Sequence, residues 1–182
     1  MNREKPHIVW RETPPPPDMP VTQAYTWALD PDDGRVLLQD RGMDLEPGCR
    51  RYNLPGGRPE PEDDGDPLKT AAREALEESQ IHLDTTRAVY LGYQEITEDP
   101  YRPGPYAQLR YAAPIIGYDP IGPDPDTADG RVNRRYLVSL ERAPELLGWG
   151  EHGVAQAEAA FRAGQKLGFP VESPAPDGYR DA

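Results

Sequence analysis

The chain has one cysteine, Cys49, so it can close no disulfide within itself and offers no Cys-based metal framework. No histidine or cationic helix end neighbours Cys49 in sequence, and it reads as a passive thiol. Long apolar runs are missing too. Nothing approaches the roughly eighteen apolar residues needed to cross a bilayer, and no run of signal-peptide length stands near the N-terminus. Positive charge is scarce: 20 Lys and Arg face 32 Asp and Glu, giving a net charge of −12 and a pI near 4.7. Such a field repels a nucleic acid polymer, so any anionic partner must be small and met by local arginines or by a metal. The expectation is a cytoplasmic protein that binds neither membrane nor nucleic acid polymer. His7, His82 and His152 lie far apart without ligand spacing and are assigned no role.

Apolar residues make up 36 % of the 182, low but adequate for one core once the proline-rich segments are set aside. Residues 1–20 hold His7-Ile8-Val9-Trp10 and then Pro14 to Pro17, a short extended arm running into a stiff segment, read as an N-terminal extension. Residues 21–169 read as the domain and 170–182 as a flexible tail. Val21 to Leu29 and Arg35 to Asp40 flank the turn Pro31-Asp32-Asp33-Gly34, a hairpin signal, and a third strand should end at Leu54. Further strands are expected over Ala88 to Ile96, Tyr106 to Tyr118 and Arg135 to Leu140, with Pro- and Gly-rich loops at 99–105 and 119–130. Ala143 to Trp149 suits a short helical turn, and Glu151 to Leu167 an amphipathic helix. Mixed strands with an embedded helix and a terminal helix suggest an α/β sandwich.

The embedded helix carries the chemistry. Asp66 can cap it, Pro67 suits its first position, and Leu68, Ala71, Ala72, Ala75, Leu76 and Ser79 recur at helical spacing as the face toward a core. Glu74, Glu77 and Glu78 then stand at i, i+3 and i+4 beside that stripe. Like charges at this spacing repel by roughly 0.2–0.5 kcal/mol per pair, and a divalent cation that prefers oxygen ligands turns the repulsion into attraction. Arg73, four residues before Glu77, is placed to hold that carboxylate by charge-assisted hydrogen bonds. Just upstream, Tyr52-Asn53-Leu54-Pro55 runs into Gly56-Gly57, where the backbone can approach a ligand closely.

Residues 52–81 resemble the signature box of the Nudix hydrolase family. Gly57 fills its first position, and Arg73, Glu74, Ala75, Glu77, Glu78 and Ile81 fill the helical ones. Two departures stand out. The first box Glu falls at Asp63, in a loop two residues longer than the box, with Glu62 or Asp64 as substitutes. The final box Gly is Gln80, which suggests that the helix ends differently or runs on toward His82. The resemblance implies an α/β/α sandwich with a mixed sheet, and Mg²⁺ or Mn²⁺ held by Glu74, Glu77, Glu78 and the Gly56 carbonyl. It further implies hydrolysis of a phosphoanhydride bond in a nucleotide or a nucleoside diphosphate derivative, with Glu77 or Glu78 assisting deprotonation of the attacking water and Arg73 positioning the carboxylates. A further loop acid is often recruited, for which Glu95, Glu98 and Asp99 are candidates.

On the substrate side, Arg50, Arg51, Arg58 and Arg110 are candidates for phosphate oxygens, Gly57 for close backbone approach, and Tyr101 and Tyr106 for stacking on a base. A homodimer is compatible with the terminal amphipathic helix packing on a partner. The alternatives are a Nudix-fold module that binds nucleotide without hydrolysing it, supported by the displaced box acid and Gln80, and diphosphate isomerisation, for which Cys49 lacks a convincing context.

Overall fold

The computed structural model describes residues 6–181, apart from 44, 46–48, 101, 103, 126, 128 and 129. Its strands are β1 (His7–Arg11), β2 (Val21–Leu29), β3 (Val36–Asp40), β4 (Tyr52–Asn53), β5 (Gly56–Gly57), β6 (Ile81–Leu83), β7 (Val89–Thr97), β8 (Tyr106–Tyr118), β9 (Arg134–Val138) and β10 (Gly178–Tyr179). Its helices are α1 (Pro67–Ser79), α2 (Ala143–Leu147) and α3 (Glu151–Leu167).

Alternation along the central strands explains the layering. Successive side chains point to opposite faces of a sheet, so Trp27, Leu29, Val36, Leu38 and Val138 enter one apolar cluster while Ala28, Leu37 and Leu137 enter another. A sheet apolar on both faces must be covered on both. On the first face α2 and α3 supply Leu147, Ala157, Ala160 and Ala163; on the second α1 supplies Ala75, joined by Ile81 and Ile115. The architecture is the expected α/β/α sandwich.

The sheet runs β1-β7-β8-β2-β3-β9-β10, with β2 and β8 parallel and the other described pairs antiparallel. Both chain ends join it. The proline-rich N-terminal segment contributes β1, paired with β7 from His7↔Thr97 to Arg11↔Tyr93, and the segment beyond residue 170 contributes β10, paired with β9. Tyr179 on β10 also donates its hydroxyl hydrogen bond to Asp40 on β3.

The N-terminus of α1 forms as its residues dictate: Asp66 accepts the Leu68 N–H at 2.9 Å, and Pro67 is the first helical residue. The buried stripe keeps Ala71, Ala75 and Ser79 of the expected one and shifts at its other positions. Thr70, Ala71, Glu74, Ala75 and Ser79 are buried, whereas Leu76 is 39 % exposed. Thr70 turns toward the loop that precedes the helix, where it donates to Asp63, while the Glu74 carboxylate lies against Gly57 and accepts from Arg73. At the other end the helix does not run on toward His82. Gln80 takes the left-handed conformation (φ 48°), a backbone that costs a residue other than glycine about 1–2 kcal/mol. Its side chain offsets that cost by donating to the Glu77 carbonyl (2.7 Å) and accepting from the Gly122 N–H (3.3 Å).

Candidate active site

The site is made by a fork between two strands. β2 and β3 leave their turn as a hairpin, paired at Leu29↔Val36, and then β2 takes β5 as its neighbour while β3 takes β4. Tyr25 pairs with Gly56, and Ala24 with Gly57. Gly56 is required here, and Gly57 leaves the space that the Glu74 carboxylate fills. A Cβ on Gly56, whose φ is +150°, would collide with the Ala24 carbonyl and Tyr25, and one on Gly57 would overlap the Glu74 carboxylate. The fork therefore sets backbone directly against the acidic helix. Glu78 Oε2 accepts the Gly56 N–H at 2.8 Å and the Gln39 amide at 2.9 Å.

Arg73 organises the remaining acids. Its Nη1 donates to Glu77 (2.7 Å), its Nη2 to Glu74 (3.1 Å) and to the Arg58 carbonyl (2.8 Å), and its Nε to Asp63 (3.2 Å). Asp63 is buried and also accepts the Thr70 hydroxyl and the Glu60 N–H, each at 2.9 Å. The displaced box acid is therefore accommodated. The longer loop winds Pro61–Asp63 into a short 3₁₀ turn closed by left-handed Asp64, which brings Asp63 onto Arg73. Of the two substitutes considered, Glu62 is exposed and Asp64 pairs with Lys69 at the surface.

Burial pushes the Glu78 carboxyl up to about 7, with Glu74 and Asp124 adding in the same direction against the Gly56 and Gln39 hydrogen bonds. Arg73, despite its burial, is held more firmly protonated by Asp63 and Glu77. Among the described residues no group of three or more His, Cys, Asp or Glu converges as a metal cluster, and Glu77 is turned to Arg73. The donor set nonetheless suits a hard cation. Glu74 and Glu78 flank the Gly56-Gly57 backbone, and all donors are oxygens.

The substrate-side candidates separate. Arg51 is locked onto Asp40 by two hydrogen bonds (2.8 and 2.7 Å) and lies over Tyr52. Arg58 is exposed directly beside Gly57. Tyr106 is buried, donates to Asp99 at 2.6 Å and lies under Arg102, while Tyr101 falls outside the described residues. Arg110 is buried in a pocket taken up below. Of the candidate further acids, Glu95 lies on β7, not in a loop, and pairs with Arg11, while Asp99 receives Tyr106.

Besides Glu74, an acid that acts on Glu78 is Asp124, from the loop at 119–130. It is buried, and one Asn133 amide donates both to Asp124 (3.4 Å) and to the Glu78 carbonyl (3.1 Å). No local sequence signal marks Asp124, Gln39 or Tyr25; they reach the site only through strand pairing and loop closure.

A family model described as the NUDIX domain matches residues 19–156. Solved structures with the same fold include a Nudix hydrolase from Nitrosomonas europaea (19 % identical, covering 80 % of this chain and 90 % of that one, TM-score 0.55). A MutT Nudix hydrolase from Burkholderia pseudomallei is 22 % identical over 78 % of this chain and 98 % of that one, with a TM-score of 0.52. An Ap4A hydrolase from C. elegans is 18 % identical over the same shares, with a TM-score of 0.51. The comparison with curated proteins found no match. With a family model spanning most of the chain and the box residues assembled at the fork of β2 and β3, the chain belongs to the Nudix hydrolase family.

Proposed function

We propose that this protein is a Mg²⁺- or Mn²⁺-dependent hydrolase that cleaves a phosphoanhydride bond in a nucleotide or in a small molecule linked to a nucleoside diphosphate. The observation that carries this reading is the apposition of Glu78 and Glu74 to the Gly56-Gly57 backbone, with Arg73 gathering Glu77 and Asp63 behind them. A bound divalent cation would be held by Glu74, Glu78 and the Gly56 carbonyl, with Glu77 as a further carboxylate, and would supply charge neutralisation and a more acidic water.

The chain's own groups do the rest. Glu78, held beside the Gly56 backbone, is placed to take a proton from water attacking phosphorus. Gln39 and the Gly56 N–H hold its carboxylate in orientation, and Arg73 keeps Glu77 and Glu74 from rotating away. Exposed Arg58, one residue past the glycine pair, is placed to meet a phosphate oxygen.

The test is incubation with Mg²⁺ or Mn²⁺ and a panel of nucleoside triphosphates, nucleotide sugars, ADP-ribose, NADH and dinucleoside polyphosphates, the last included because of the Ap4A hydrolase among the structural neighbours. At least one substrate should be hydrolysed, and EDTA should stop the reaction. Nucleotide binding without hydrolysis across the panel would instead favour a binding module.

A further inference from the structure

A pocket of about 640 Å³ adjoins the site, with Tyr25 in its wall. Tyr25 pairs with Gly56 and feels Glu78, Glu74 and Arg110 alike, so the pocket and the acidic helix meet across one residue. In a chain with 32 acidic residues, none of the described residues lining this pocket is acidic. Its walls instead include Arg110, Arg50, His152, Gln94 and Trp149.

Arg110, on β8, is 2 % exposed. Its guanidinium donates to Gln94 (2.6 Å), Gln156 (3.0 Å), the Leu109 carbonyl (3.0 Å) and Gln108 (3.4 Å), every one a neutral acceptor. The Tyr25 and Trp149 rings lie 4.3 and 5.6 Å from its central carbon. No carboxylate among the described residues pairs with it. Burial lowers its pKa to about 10, which leaves it charged at neutral pH. A buried charge without a counterion is costly, and proteins normally pair it. Arg135, the other large buried arginine, likewise donates to backbone carbonyls without a carboxylate pair among the described residues, but it lies in the field of Asp181 and Asp119.

The polar groups around Arg110 are oriented by it. Gln94 and Gln156 give their oxygens to the guanidinium and turn their amide nitrogens to His152 Nδ1 (2.9 and 3.3 Å). Nδ1 is thus an acceptor, and the neutral ring carries its proton on Nε2. Burial, then Arg110 and Arg50, hold the His152 pKa below its ordinary value. Arg50 is exposed against Gly148 at the pocket wall, with no carboxylate partner among the described residues. Two guanidinium groups, an imidazole and no acid form a receptor for an oxyanion.

We propose that this pocket binds a second anionic group of the substrate, a phosphate monoester or a carboxylate, carried on the part of the molecule that is not hydrolysed. The proposal rests on the hydrolase reading above and narrows its substrate class to nucleoside diphosphate derivatives that carry a further negative charge.

The test is metal-free calorimetry in EDTA with two matched pairs, NADPH against NADH and UDP-glucuronate against UDP-glucose. In at least one pair the anion-bearing member should bind at least tenfold more tightly. The NADPH pair identifies a phosphate as the recognised group and the glucuronate pair a carboxylate. The preference should collapse in Arg110→Met, survive in part in Arg110→Lys and fall several-fold in Arg50→Ala, a surface change that keeps the test intact if Arg110→Met does not fold. Binding of the tighter ligand should also raise the His152 pKa, read by imidazole NMR. Equal affinity within both pairs, or a preference that survives Arg110→Met and Arg50→Ala, overturns the proposal. Hydrolysis of the same nucleotides with Mg²⁺ is scored separately, so failure of the pocket and failure of the hydrolase reading give different results.

Discussion

Arg73 and Arg110 are both largely buried, within one domain, and their surroundings are opposite. Arg73 is met by Asp63, Glu74 and Glu77 with Glu78 one turn on, so acids outnumber the cation. Arg110 is met by amides, a carbonyl and aromatic rings, so positive charge goes unbalanced. A small anion with a cation bound to its phosphates would complete both regions at once, the metal answering the acids and the substrate answering the arginines. The contrast teaches that local charge, and not the whole-chain value of −12, decides what this surface can hold.

The largest expected effect lies on the acidic side. Glu78→Gln, and more so Glu77→Gln with Glu78→Gln, should lower turnover by more than the ~10–100-fold typical of losing a supporting group around a metal. The fold should persist because the change is nearly isosteric. Calorimetric Mg²⁺ or Mn²⁺ binding in the presence of substrate, if unchanged in the double variant, would remove these residues from the site. Arg73→Lys keeps the charge and loses the planar fork, so kcat should drop about 10–100-fold with KM little altered. A change confined to KM would move Arg73 to the substrate side of the comparison.

Asp63→Asn removes the buried charge that anchors Arg73 and should destabilise the fold by about 1–3 kcal/mol in urea unfolding. A loss near zero would mean that the extra loop residues are dispensable. The smallest effect is a pH dependence. Glu78 titrates near 7 in the folded chain and near its ordinary 4.5 when unfolded, so between those values the folded state holds the extra proton. Stability of the metal-free protein should therefore rise as pH falls from about 8 toward 5, by a few degrees in melting temperature. The trend should flatten in Glu78→Gln, and its persistence there would assign it to another group.

Much of this was legible in the residues themselves. The Asp66-Pro67 start of α1, the box acids and arginine, the hairpin turn at Pro31 to Gly34 and the two long strands follow from caps, periodicity and turn chemistry, all set by neighbours in sequence. Gln80 shows the boundary of that legibility. The missing glycine pointed to a helix that ends differently or runs on, whereas the helix ends in the left-handed cap a glycine would have made, held by a side chain that reaches the Glu77 carbonyl and the distant Gly122.

Sequence alone determined which groups would be available: an acidic helix, a glycine pair, a cationic deficit and alternating strands. Tertiary structure alone decided their company. Which face of α1 is buried, exposing Leu76 and hiding Glu74, was settled by what packs against it: Asp63 beside Thr70 and Gly57 beside Glu74. Arg51 found Asp40, and Arg110 none of the described acids, because strand neighbours are chosen by pairing across the sheet, which brings residues together that no local period connects. Burial and the company a guanidinium keeps are properties of that assembled space, set by the tertiary fold and by no local period.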